Sequence, residues 1–156
     1  MIYFIIATAI LFLDQLTKVM VRSSFELYES REIIPNVFHL TYIENPGAAF
    51  GMLADQRTFF LLITVFIIAF MLYFMKTLEN DEPKANIFLS MVIGGALGNF
   101  IDRIQKGSVT DFFDFLIWPV FNIADMFIVF GIVMAAFYIF RSEFKNKGSE
   151  ADQNDL

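Results

Sequence analysis

The residues of this chain that could do chemistry are few, and they come in short groups. Asp14 and Lys18 stand at i,i+4. Asn99, Asp102 and Arg103 follow at i,i+3 and i,i+4, and Asn122 and Asp125 again at i,i+3, with Asp111 between the last two groups. On a helix, residues three and four apart share a face, so each group can present its polar atoms together. Four carboxylates, Asp14, Asp102, Asp111 and Asp125, are candidates for one cleft. Close carboxylates cannot all ionise; two that share a site share a proton and titrate as a unit. Such a pair can activate a water with one member and protonate a leaving group with the other. The remaining options are thin. The chain has no cysteine, which removes thiolate nucleophiles, disulfides and thiolate zinc sites. The single histidine, His39, excludes a two-histidine metal motif and is expected at a surface or interface. No serine or threonine has a histidine partner in sequence reach. Neither a metal nor a cofactor is expected.

The elements that must position these groups are membrane spans. Hydrophobic residues make up 57% of the 156 and charged residues 18%. An ordinary soluble domain is about 45–50% apolar and about 25% charged. The excess collects in four stretches, about 1–21, 58–75, 86–102 and 120–140. A bilayer core about 30 Å thick needs roughly 20 apolar residues to cross, and backbone in lipid must satisfy itself, so all four are expected to be helices. The first stretch lacks a basic leader and a small-residue cleavage site, and is expected to be a retained span. Between the first two spans, Val37-Phe38-His39-Leu40-Thr41-Tyr42-Ile43 alternates and Asn45-Pro46-Gly47 follows, which predicts short strands and a turn. The third loop holds Phe112, Phe113, Phe115 and Trp118, residues that accumulate at membrane interfaces. The tail, 141–156, is polar and expected to be flexible. The whole chain, 1–156, reads as one integral membrane domain. A net charge of −6 argues against a nucleic-acid partner.

Span direction brings the polar groups together. The first and third spans point the same way and the fourth returns, so Asp14 and Lys18, Asn99 to Arg103, and Asn122 and Asp125 all arrive at one membrane face. The other face has no comparable cluster. Ionisable residues in spans are costly and mark function by default, yet each group also has a plainer role. Asp14 and Lys18 can be a neutralising pair that fixes helix depth. Asn122 and Asp125 can be interhelical hydrogen-bond glue. Asp102 and Arg103 can snorkel as an interfacial pair. Gly94 and Gly98 have the spacing that lets helices pack closely. Asp114 is a solvated loop acid that could be mistaken for Asp111. Basic residues do not decide orientation: Lys76, Lys84, Arg141, Lys145 and Lys147 balance Arg22, Arg31, Arg57, Arg103 and Lys106. Their density in the short loop and tail favours both termini in the cytoplasm.

Five segments, in this order, resemble the lipoprotein signal peptidase (signal peptidase II) family of intramembrane aspartic peptidases. They are Asp14-Gln15-Leu16-Thr17-Lys18, Asn45-Pro46-Gly47-Ala48-Ala49-Phe50-Gly51, Gly94 through Arg103, Gly107-Ser108-Val109-Thr110-Asp111-Phe112, and Phe121-Asn122-Ile123-Ala124-Asp125. The resemblance spans nearly the whole chain apart from the tail; the stretch between Asp111 and Asn122 is short. It implies an all-α membrane fold of four transmembrane helices, with a small extracytoplasmic β-cradle in the first loop and a short gating helix in the third. It implies an aspartic endopeptidase of the bacterial cytoplasmic membrane that removes the signal peptide from diacylglyceryl-modified prolipoproteins, cutting before the lipidated cysteine. Asp111 and Asp125 would be the catalytic pair. Asp14, Lys18, Asn45, Gly47, Asn99, Asp102, Arg103 and Asn122 match the family's other functional positions and would bind substrate or brace the aspartates, with Arg103 held near Asp102. Both termini would be cytoplasmic, the active site near the outer face, and the protein a monomer open to cyclic peptide antibiotics such as globomycin. The competing reading is a small ion- or proton-coupled transporter subunit. It would need polar residues threaded through the bilayer and internal symmetry, and the chain has neither.

Overall fold

The computed structural model describes residues 1–47, 56–78 and 83–154, with side chains as far as Arg141. Ala48, Ala49, Phe50 and Gly51 of the second motif lie outside the described residues. Four helices form: α1 (Ile2–Ser24), α2 (Arg57–Leu78), α3 (Pro83–Lys106) and α4 (Ile123–Asn154). Each is long and apolar enough to cross a membrane. The helix of the fourth span continues through most of the tail expected to be flexible, as far as Asn154.

Hydropathy and burial run in opposite directions, as they should when the solvent is lipid. The spanning window of α2 is the most apolar, with mean hydropathy 2.6, and α2 buries none of its described residues. That of α3 is the least apolar, at 1.4, and α3 supplies more of the core than any other element. It packs against α1, α2 and α4. With no hydrophobic drive between helices in lipid, close approach through small residues takes over. On Gly94 a Cβ would meet the Ala7 carbonyl oxygen at 2.6 Å, and on Gly98 it would strike the Asp14 carboxylate. The Gly94/Gly98 spacing therefore seats α3 directly on α1. Gly94→Ala is expected to force the two backbones apart and cost about 1–3 kcal/mol, read as a lower melting temperature in detergent. An unchanged melt would mean that the helices are not in contact there.

At the end of α1 the chain forms a three-stranded antiparallel sheet, ordered β1 (Ser30–Ile34), β2 (Phe38–Asn45) and β3 (Val109–Asp114). The first loop supplies short strands, as expected, but they join as a hairpin with Asn36 in its turn at φ 57°, while Asn45-Pro46-Gly47, where the turn was expected, follows β2. The third loop was expected to carry a short helix and carries β3 instead. The reason lies in its residues and in its neighbour. Val109-Thr110-Asp111-Phe112-Phe113 is β-branched and aromatic apart from Asp111, and the open edge of β2 offers a ladder that needs a partner. What remains, through Phe121, is closed by backbone hydrogen bonds between Phe121 and both Phe112 and Phe113, with Pro119 inside it. Leu116, at φ 65°, lies outside the right-handed helical region and breaks any helical turn there.

Candidate active site

Asp14 and Lys18 project from α1 onto α3, and both are fully buried. The Lys18 ammonium has three N–H bonds and finds three acceptors: Asp14 Oδ2 at 2.9 Å, Asp102 Oδ2 at 3.0 Å and Asn99 Oδ1 at 2.8 Å. The two carboxylates then hold other elements. Asp14 Oδ1 accepts the Ala124 backbone N–H at 2.9 Å, one of the free donors at the start of α4. Asp102 Oδ2 accepts the Thr110 N–H at 3.2 Å, which ties β3 to α3. Arg22 Nη1 approaches Asp102 Oδ1 at 3.7 Å. One ammonium thus joins four elements.

Lys18 also decides which way Asn99 faces. An ammonium can only donate, so the amide oxygen must point at it, and the amide NH₂ is left for Asp125. Asn99 Nδ2 donates to Asp125 Oδ1 at 2.8 Å. Asn122 and Asp125 form a reciprocal cap at the start of α4. Asn122 Oδ1 accepts the Asp125 N–H at 3.0 Å, and Asp125 Oδ2 accepts the Asn122 N–H at 3.2 Å. The Asn122 amide then donates to Asp111 Oδ1 at 2.6 Å. The other oxygen of Asp111 accepts from Asn45 Nδ2 at 3.0 Å. Each of these two aspartates is therefore gripped at both oxygens by donors on separate elements.

Asp111 and Asp125 line one cavity of about 240 Å³, together with Asn45, Gly47, Asn99, Arg103, and Trp118 through Phe121. Asp125 also borders a wider apolar groove of about 550 Å³ along α4, lined by Met126, Val129, Phe130 and Val133. The four carboxylates that the sequence could not separate fall into two sets. Asp14 and Asp102 are both paired with Lys18, with Arg22 also near Asp102, and Asp111 and Asp125 face the cavity. Arg103 is not held by Asp102, contrary to expectation, because adjacent residues on a helix point away from each other. Its Nη2 donates to the Gly47 carbonyl at 3.1 Å, and its guanidinium lies 4.6 Å from the centre of the Phe60 ring. Asp114 caps the Leu116 N–H and accepts from Thr41, away from the cavity. His39 lies on the sheet between Ser30 and Glu32.

The family model for signal peptidase (SPase) II matches residues 6–141. The chain belongs to the signal peptidase II family. It is 46% identical over 132 residues to a lipoprotein signal peptidase of Moorella thermoacetica, covering 85% of this chain and 88% of the relative. To that of Halothermothrix orenii it is 45% identical over 144 residues, covering 92% and 97%. A solved structure described as a bacterial membrane enzyme, determined by the in meso method at 2.3 Å, superposes with a TM-score of 0.82. That structure is 33% identical, with 90% of this chain and 88% of its own covered. Signal peptidase II enzymes are aspartic peptidases, and this multi-pass chain is one of them.

In this signal peptidase II, Asp111 is the cavity carboxylate that lies on the sheet. Burial, and after it the charge of Asp125, push its carboxyl up from 3.8 to about 7, against the lowering effect of Asn45 and Asn122. Sequence reading missed several supporting residues. Gln15 Nε2 bonds the Gly98 carbonyl at 3.0 Å and Asp102 at 3.3 Å. Arg22 lies at i,i+4 from Lys18, a spacing that could have revealed it. Glu44, in the strand before Asn45, carried no such signal.

Proposed function

We propose that Asp111 and Asp125 are the catalytic pair with which this protein removes signal peptides from diacylglyceryl-modified prolipoproteins, cutting before the lipidated cysteine. The observation that carries this reading is the shared cavity: two carboxylates, each held at both oxygens, beside an apolar groove that runs along a membrane span. In the reaction, the ionised aspartate takes a proton from a water as its oxygen bonds to the scissile carbonyl carbon. The protonated aspartate donates to the carbonyl oxygen. Collapse of the tetrahedral species breaks the C–N bond, and the amine nitrogen of the cysteine takes a proton from the pair. Asn45, Asn99 and Asn122 orient the two carboxylates. Arg103 holds the Gly47 carbonyl at the rim, and Asp14, Lys18 and Asp102 anchor the elements behind.

The groove on α4 suits the lipid and the apolar signal segment. The sheet, at the end of α1 where the polar groups converge, suits an outer-face location with both termini in the cytoplasm of a bacterial cell. One chain supplies both aspartates, so a monomer suffices. Cyclic peptide antibiotics such as globomycin would compete for the same cavity.

The test is cleavage of a lipidated prolipoprotein by detergent-purified protein across pH. The active pair must hold one proton. With the Asp111 carboxyl near 7, that proton is present below about pH 7 and lost above it, so kcat is expected to fall on the alkaline side with a midpoint near 7. Chelator should leave the rate unchanged. Cleavage that rises through pH 7 to 9, or that chelator abolishes, would refute the carboxylate pair.

A further inference from the structure

The catalytic reading depends on Asn45 meeting Asp111 across β2 and β3, and that meeting needs a register. Hairpin strands take theirs from the turn that joins them, and a slip of one residue turns every side chain to the other face. β2 and β3 have no such turn, because two membrane spans separate them in sequence. Their pairing also contains an irregularity between Leu40 and Ile43, just before the site. Something else must fix the pairing where it matters.

Glu44 stands opposite Thr110, next to Asn45 on one strand and Asp111 on the other. Strand alternation puts Glu44 and Thr110 on one face, and Asn45 and Asp111 on the opposite one. The Glu44 carboxylate accepts from four groups. They are Thr110 Oγ1 at 3.0 Å, Ser108 Oγ at 2.6 Å, Lys106 Nζ at 2.9 Å and the Tyr42 hydroxyl at 2.8 Å. These donors come from β3, the turn before it, the end of α3 and β2 itself. We infer that Glu44 is a positioning residue for the reaction, pinning β2 to β3 so that Asn45 reaches Asp111. It does not line the cavity of Asp111 and Asp125; it acts through the register. Its charge is settled as this role requires. Burial works against the carboxylate, but hydrogen bonds from Lys106, Ser108 and Tyr42 outweigh it and hold the carboxyl below its ordinary range. The same contact, after burial, drives the Tyr42 hydroxyl up to about 12, so it remains a donor at any working pH.

The inference rests on the carboxylate-pair reading, and its test separates the two. Cleavage kinetics on a lipidated prolipoprotein would be measured for wild type, Glu44→Ala, Glu44→Gln, Asn45→Ala and Glu44→Ala/Asn45→Ala, with Asp125→Asn as control. Glu44→Ala is expected to lower kcat about 10-fold with KM unchanged, and Glu44→Gln, which keeps the shape and one good acceptor, to recover much of the loss. Because Glu44 acts through Asn45, the double variant should lose less than the product of the two single losses. Losses that multiply would overturn the inference, as would an unchanged kcat in Glu44→Ala. If Glu44→Ala does not fold, Glu44→Asp decides, because its carboxylate is one methylene too short to meet all four donors: kcat reduced at wild-type melting temperature supports the role, and wild-type kcat overturns it. If Asp125→Asn cleaves normally, the carboxylate-pair reading fails, whatever Glu44 does.

Discussion

Asp111→Asn and Asp125→Asn are each expected to lower the cleavage rate by about 10²–10⁴-fold, the usual contribution of a positioned acid or base, while the protein stays folded in the membrane. The readout is accumulation of uncleaved, lipidated prolipoprotein in cells, and the residual rate of purified variant in detergent. The two losses should not multiply in the double variant, because the carboxylates act as a unit and removing either one removes the shared proton. Normal processing by Asp125→Asn would sink the assignment. Asp114→Asn is the internal control. Asp114 is the neighbouring loop acid, engaged with Thr41 and the Leu116 N–H outside the cavity, and its loss should leave kcat near wild type.

The Asp111 carboxyl is also expected to make stability depend on pH. Asp111 is 2% exposed, and its carboxyl is raised from 3.8 to about 7 in the fold. Between those values the folded state binds more protons than the unfolded one, so the contribution of Asp111 falls as pH rises through that window. A buried carboxyl that keeps its proton thus contributes less to the fold toward neutral pH. The sheet that holds Asp111 must be secured by other contacts, and the Glu44 and Asp102 bonds to Thr110, its immediate neighbour, are the strongest candidates on the chain.

Much of this arrangement was legible in the residues, for reasons that differ between elements. Spans are local: an apolar run of the right length needs no knowledge of its neighbours, and all four became helices. Convergence at one face follows from alternating direction, which is again independent of packing. The Asp14/Lys18 pair was readable because i,i+4 geometry is internal to one helix. What failed was non-local. β3 forms because β2 leaves an open edge, and the third loop alone does not reveal that edge. The partners of Asp102 depend on the rotation of α3 against α1, so adjacent Arg103 looked like its mate when Lys18 and Arg22 were. The choice of Asp111 and Asp125 out of four carboxylates came from motif resemblance. The physical ground for it, pairing of the other two with Lys18 and Arg22, appears only when the helices are in place.

That lysine carries the second large expectation. Lys18→Met should destabilise the protein by about 3–5 kcal/mol, the usual cost of removing one partner from a buried ionic group. Asp14 and Asp102 would remain buried at 0% and 1% exposure. Asp102 would keep Arg22 at 3.7 Å, but among the described residues Asp14 would have no cation in bonding distance. Adding Asp14→Asn should therefore recover part of the loss. The asparagine oxygen can still accept the Ala124 N–H, and the uncompensated charge is gone. Melting temperatures in detergent for the single and double variants provide the check; a double variant less stable than Lys18→Met alone would show that charge balance is not what Lys18 supplies. Activity should not return with stability. Without the ammonium, the Asn99 oxygen keeps only the Asn122 amide, at 3.2 Å, so its NH₂ is less firmly committed to Asp125. The recovered fold should cleave slowly, because the lysine that balances the buried carboxylates is also the group that orients the amide beside the reacting pair.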